Sequence, residues 1–221
     1  CAAWERWAAC APQPAHGVRS DENTARSLGV IAQNGRGKFD KIVQKQKMMD
    51  LLNPFTRLNP DDTVPDFDCG DDDLNEFFAV DAVNWQKDLL TVTYYLALND
   101  VIALYFSLAN DKIIADTLPK GFWRKIKGKF PHKEHRSDYP AVKIGRFAVA
   151  TAYRCQPEHW GSKAMDFIKN WMLAENKTGC CFLTVDAYPS AVPFYEKNGF
   201  KFLGALEEKR YSDYLKDTSR E

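Results

Sequence analysis

The sequence predicts an α+β fold: a mixed, mostly antiparallel central sheet flanked by helices. Three observations predict it. Two β-branched and aromatic runs, 92–98 and 101–108, meet at Asn99–Asp100, which reads as a hairpin with a tight turn. Leu74, Phe77, Phe78, Ala82 and Trp85 recur at the spacing of one helical face, as do Ala164, Phe167, Ile168 and Trp171. Strand-like and helix-like segments then follow in the order β–α–β–β–(α)–β–α–β–α–β, a layered arrangement of helices on one sheet.

Each element has a local cause. Residues 55–70 read as a β-segment and loop, with Phe55 and Leu58 followed by Pro60, Asp61, Asp62 and Pro65. Asp71, Asp72 and Asp73 open the first helix, where negative charge suits the positive helix end. Residues 111–118 read as a short helix or loop. Residues 120–136 are basic, with Lys120, Arg124, Lys125, Lys127, Lys129, Lys133 and Arg136 against only Glu134. A strand is expected over 142–150, an amphipathic helix over 162–173 and a buried-type strand over 181–187. A short helix over 191–198 is closed by Gly199, which suits a left-handed C′ position. A closing strand is expected over 200–208. Residues 1–47 hold alanine, glycine and polar residues without a sustained period of 2 or 3.6. They are expected to be a disordered tail or a non-native extension with no core role. One domain is expected over 48–221.

Bulk properties narrow the function little. The 221 residues carry 30 Lys+Arg and 30 Asp+Glu, so net charge names no partner. The six cysteines have no C-x-x-C pair and make no zinc pattern with the four histidines; no metal site is expected. They read as reduced thiols in a cytoplasmic protein. No apolar run is long enough to span a membrane.

The chemistry concentrates in one unit: a strand ending near Ala150, a loop, and a helix starting at Gly161. A strand feeding a helix N-terminus is a generic anion site, because the first helical N–H groups lack intrahelical partners. The loop Gln156-Pro-Glu-His-Trp-Gly161 fits a Q-x-x-(G)-x-G frame. It is followed at a suitable distance by Ala191-Val-Pro-Phe-Tyr-Glu-Lys-Asn-Gly-Phe200 and preceded by Ile144-Gly-Arg-Phe-Ala-Val149.

On these three blocks the chain resembles the GNAT N-acetyltransferases from about Met49 to about Tyr214. Phe67-Asp-Cys-Gly-Asp-Asp-Asp-Leu74 and Ala103-Leu-Tyr-Phe-Ser-Leu108 are similar to a subgroup that includes the acetyltransferase toxins of toxin–antitoxin pairs. The resemblance implies a GNAT fold, acetyl-CoA as cofactor and acetyl transfer to a primary amine. It implies a bulged strand at Phe147, Ala148 and Val149 that binds the pantetheine arm. It implies a pyrophosphate cradle at Gln156, Pro157, Glu158, His159, Trp160, Gly161 and Ser162. It also implies Tyr195 as proton donor to the leaving thiolate.

The pattern departs from the family at several points. His159 stands where the family has glycine, so it keeps ordinary dihedrals, adds a donor or spoils the cradle. Pro157 removes one N–H. Arg154 and Cys155 are extra residues, and Tyr188 replaces a common asparagine. Two alternatives follow. One is a toxin that acetylates aminoacyl-tRNA, with Lys120, Arg124, Lys125, Lys127 and Lys129 meeting the tRNA and an antitoxin as partner. The other is a non-catalytic GNAT-like module with a degraded cofactor loop. A homodimer is expected by analogy alone.

Overall fold

Asn99 and Asp100 both adopt positive φ, +52° and +63°, the conformation a tight hairpin between right-twisted strands requires. They join β3 (Val92–Leu98) to β4 (Val101–Ile114), the hairpin around which the molecule is built. The structure is a computed structural model. It describes residues 25–31 by their backbone, and 54–59, 61, 63–114, 120, 124, 138–174, 179–180 and 182–218.

Before the hairpin lie β1 (Ala25–Ile31), β2 (Thr56–Arg57) and a helix, α1. Helix α1 runs Asp72–Glu76, passes through a π-helical turn at Phe77–Asp81 and resumes as Ala82–Lys87. Asp71 caps it by accepting from the Leu74 N–H. After the hairpin come β5 (Asp138–Val149), α2 (Trp160–Ala174), β6 (Phe182–Ala187), α3 (Val192–Lys197), β7 (Lys201–Phe202) and α4 (Ala205–Thr218). Gly199 closes α3 at φ +84°, as its position predicts.

The sheet order is β2-β3-β4-β5-β6-β1-β7. Every pairing is antiparallel except β5 with β6. Alternation along the strands sends side chains to two layers. On one face Tyr105 packs under α1 with Leu74, Phe77 and Phe78. Gln86, buried on this helix, donates to the Leu58 carbonyl and accepts from the Thr93 N–H, fixing α1 to β3. On the other face Leu104, Phe106 and Ile144 pack against Ala164, Met165 and Ile168 of α2 and Tyr195 of α3.

Three expectations are corrected. Residues 111–114 are not helix or loop but the end of β4, because β5 begins early, at Asp138, and pairs with them. The closing strand ends at Phe202, and the following residues form α4. Residues 25–31 are not outside the domain: β1 lies between β6 and β7 and pairs with both. The run Ala25-Arg-Ser-Leu-Gly-Val-Ile31 shows no clean apolar–polar alternation, so it carried no period-2 signal.

Among the described residues no helix is long and apolar enough to cross a membrane. Cys155 is disulfide-bonded, against the expectation of reduced thiols, whereas Cys69 is a buried free cysteine.

Candidate active site

Strands β5 and β6 run side by side only from the Ala141–Phe182 pair to the Ile144–Val185 pair. Beyond that point they part, while β5 stays paired to β4 through Val149. The cause is local. Ser107 faces Arg146 and Leu108 faces Ile144, so Gly145 is the extra residue of a β-bulge. A side chain at Gly145 would press a Cβ to within 3.3 Å of the Ser107 hydroxyl. The bulge turns residues 145–149 away from β6 and leaves their backbone edge without a strand partner among the described residues.

A cleft of about 640 Å³ fills the gap and passes through the sheet. Its wall on the α2 and α3 side includes Phe147, Ala148, Val149, Gln156, His159, Trp160, Gly161, Ser162, Phe194 and Tyr195. Of the sequence-predicted cofactor residues, Pro157 and Glu158 do not line it; both are exposed.

The loop between β5 and α2 is held by its own hydrogen bonds. The Ala150 N–H reaches the Ala103 carbonyl at 2.9 Å and the Thr151 N–H reaches the Asp68 carbonyl at 3.0 Å. Arg154 Nε donates to the Val149 carbonyl at 3.0 Å. Gln156 accepts from the Trp160 indole N–H at 3.3 Å, so it acts as a strut of the loop. The His159 N–H is engaged by the Gln156 carbonyl, and the first helical bond runs from the Lys163 N–H to the His159 carbonyl. The donors at the start of α2 without an intrahelical acceptor are therefore those of Trp160, Gly161 and Ser162.

His159 sits at φ +51° and Cys155 at φ +56°. The histidine does not keep ordinary dihedrals; it takes the left-handed conformation that the family's glycine would supply. Gly161 is required for a different reason. A Cβ there would meet the Phe194 ring at 3.3 Å and Val149 at 3.5 Å, so glycine lets α2 approach both β5 and α3. Sequence reasoning missed Arg154 and Lys197 as cationic members of the cleft wall. Their only sequence signal was positive charge beside the loop and at the end of α3.

Tyr195 projects from α3 between the Phe194 and Phe200 rings, at centroid distances of 5.2 and 5.3 Å. It is 6% exposed, and burial pushes its hydroxyl pKa well up. The phenol thus holds its proton at neutral pH. Its oxygen meets no hydrogen-bond partner among the described residues.

The far end of the cleft is built by α1 and the loop after β6. Asp73, Trp85, Leu90, Thr91, Arg146 and Tyr188 line it, and Lys143 is ion-paired with Asp186 there. Burial raises the Tyr188 pKa, and the nearby Asp73 adds to the shift. Of the basic segment, Lys120 and Arg124 are described and exposed, whereas Lys125, Lys127 and Lys129 lie outside the described residues.

No family model matches the chain, and no curated protein matches it. Solved structures do. AtaT complexed with acetyl-methionyl-tRNAfMet aligns at TM-score 0.53 and 24% identity, over 66% of this chain and 85% of AtaT. A bacterial toxin aligns at TM-score 0.52 and 19% identity, over 68% of this chain and 82% of the toxin. These likenesses establish the fold: the chain shares the GNAT architecture of those proteins.

Proposed function

We propose that this chain, having the GNAT fold, is an acetyl-CoA-dependent N-acetyltransferase that moves an acetyl group to a primary amine by direct attack. The observation that carries the reading is the parting of β5 from β6. It brings the backbone edge of residues 145–149, which has no strand partner among the described residues, the N-terminus of α2 and Tyr195 to one cleft.

The residues fit the cofactor. The backbone of Phe147, Ala148 and Val149 would hold the amide groups of the pantetheine arm. The N–H groups of Trp160, Gly161 and Ser162, with Arg154 and Lys197, would hold the pyrophosphate at a positive helix end. Bound acetyl-CoA supplies an activated acyl carbon and a thiol leaving group. An N–H of the parted strand would be the donor to the thioester oxygen as it gains negative charge. Tyr195 would supply the proton that the leaving sulfur needs, and solvent would return to the phenolate the proton that the amine nitrogen loses.

Calorimetric titration with acetyl-CoA tests the reading. Micromolar binding supports it and overturns the non-catalytic module; no binding at millimolar cofactor overturns the transferase.

A second reading narrows the acceptor to the amino group of an aminoacyl-tRNA, with an antitoxin as partner. Its motive is the shared fold with AtaT, whose complex holds acetyl-methionyl-tRNAfMet, together with the exposed Lys120 and Arg124. It expects growth arrest on expression, relieved by Tyr195→Phe; equal harmlessness of both proteins overturns it.

A further inference from the structure

The disulfide at Cys155 has no part in acetyl transfer, yet it stands in the wall of the cleft. Cys155 is exposed and carries φ +56°, a conformation that L-residues rarely adopt. Both of its neighbours are anchored. The Arg154 N–H donates to the Ala150 carbonyl at 3.1 Å, and Arg154 Nε donates to the Val149 carbonyl at 3.0 Å. Gln156 donates to the Ala152 carbonyl at 2.7 Å and accepts from the Trp160 indole N–H. Cys155 is thus the turning point between the end of β5 and the strut that leads to the first turn of α2. Its dihedrals decide whether both anchors are met at once.

The partner of Cys155 lies outside the described residues, and position narrows it. Cys69 is buried and free. Cys180 donates from its sulfur to the Pro140 carbonyl at 3.4 Å, and Phe182 pairs with Ala141, so the residues that lead into β6 lie beside the start of β5. Cys155 belongs to the other end, beyond Val149. At about 3.3 Å per residue the two ends of β5 are roughly 30 Å apart. A disulfide joins Cα atoms less than about 7 Å apart, which excludes Cys180 and Cys181. Cys1 and Cys10 remain. They precede β1, whose first residue, Ala25, pairs with Ala187 in the cleft wall. The chain before β1 therefore leaves the sheet at the cleft itself.

We infer that the Cys155 disulfide, made with Cys1 or Cys10, is a redox switch on the β5–α2 loop. Oxidised, it holds the left-handed turn and with it the common aim of the Trp160, Gly161 and Ser162 N–H groups. Reduced, Cys155 relaxes to ordinary dihedrals, the turn opens and the three donors no longer converge on one anion. The reductant is a dithiol. One of its thiolates attacks a sulfur of the bridge and expels the other as a thiolate; its second thiol then closes a disulfide within the reductant and releases the first cysteine. Two electrons and two protons pass to the bridge, leaving two cysteine thiols. The inference rests on the transferase reading for its ligand, acetyl-CoA.

Acetyl-CoA and inorganic pyrophosphate are titrated calorimetrically into the full chain, oxidised with oxidised glutathione or reduced with dithiothreitol. The strain of one left-handed residue corresponds to about tenfold in the population of the competent loop, so both probes should bind about tenfold more weakly to the reduced chain. By reciprocity, saturating coenzyme A should make the bridge about tenfold harder to reduce, read by alkylation and mass spectrometry in a dithiol buffer. Cys155→Ser should bind as the reduced chain does and ignore dithiothreitol. Cys155→Gly adopts the turn without a bridge and should recover most of the affinity. Peptide mapping of the oxidised chain should join Cys155 to Cys1 or Cys10. Equal affinities in the two redox states, a Cys155 that stays a thiol under oxidised glutathione, a bridge to Cys181, or a glycine variant that binds no tighter than the serine one overturns the inference. Redox-dependent binding without acetyl transfer sinks the transferase reading alone, whereas binding and turnover indifferent to dithiothreitol sink the switch alone. Binding of neither probe in either state sinks both.

Discussion

His159 holds a backbone conformation that costs an L-residue about 1–2 kcal/mol. His159→Gly removes that strain but adds roughly 0.5–1 kcal/mol of unfolded-chain entropy. The expected net effect is a gain of up to about 1.5 kcal/mol, read as a higher Tm with acetyl-CoA affinity retained. His159→Val should lower the Tm, because a β-branched residue fits this region poorly. Tyr195 sets the second residue-scale expectation. Burial raises its pKa above the usual tyrosine value of about 10, so its proton is present throughout the neutral range and up to at least that pH. A steady-state pH profile should therefore show no loss of kcat from Tyr195 between about pH 8 and 10. Tyr195→Phe should lower kcat by about 10²–10⁴ while leaving acetyl-CoA binding intact. A variant with full activity would remove the phenol from the reaction.

Between elements, the cleft depends on a short polar tie. Asp68, in the loop before α1, accepts from the Gly70 N–H at 2.8 Å and from Asn75 Nδ2 at 3.0 Å. Its carbonyl accepts from the Thr151 N–H just after β5, so one residue joins the base of α1 to the root of the β5–α2 loop. The Gly70 hydrogen bond, then that of Asn75, lowers the Asp68 pKa. A lowered folded pKa means stability that is present above the unfolded value of about 3.9 and lost as pH falls through the folded one. Asp68→Asn should thus lower the Tm near neutral pH. The gap between the two proteins should narrow as the pH is taken below about 4. A constant gap across the titration would assign the effect to packing instead. The hairpin and the two amphipathic helices were legible because period and turn chemistry act within a few residues. The π-turn in α1 was not, since Phe77 and Phe78 satisfy an ordinary helical stripe as well as the altered one.

For the whole molecule, β1 completes the sheet between β6 and β7. Leu28 pairs with Val185 on one side and Phe202 on the other, so Leu28→Pro removes a backbone donor from a strand that has neighbours on both edges. The expected loss is roughly 1–3 kcal/mol, measured by urea denaturation. An unchanged midpoint would show that the sheet stands without β1. The sequence by itself determined the α+β class, the hairpin and the order of β5, loop, α2, β6 and α3, because these rest on short-range spacing and residue chemistry; the candidacy of Tyr195 came from the resemblance of its block to the GNAT N-acetyltransferases. Only the tertiary structure decided where β5 leaves β6, since a bulge is a mismatch between two strands, at Ser107 and Gly145, and neither strand shows it alone. Only the tertiary structure brought Thr93, Ser107 and Arg146 into adjoining positions, through pairing registers that no local pattern encodes. The loop first read from Gln156 to Gly161 is therefore better described by what remains free in it: the N–H groups of Trp160, Gly161 and Ser162, at a helix end that Gly161 allows to come close.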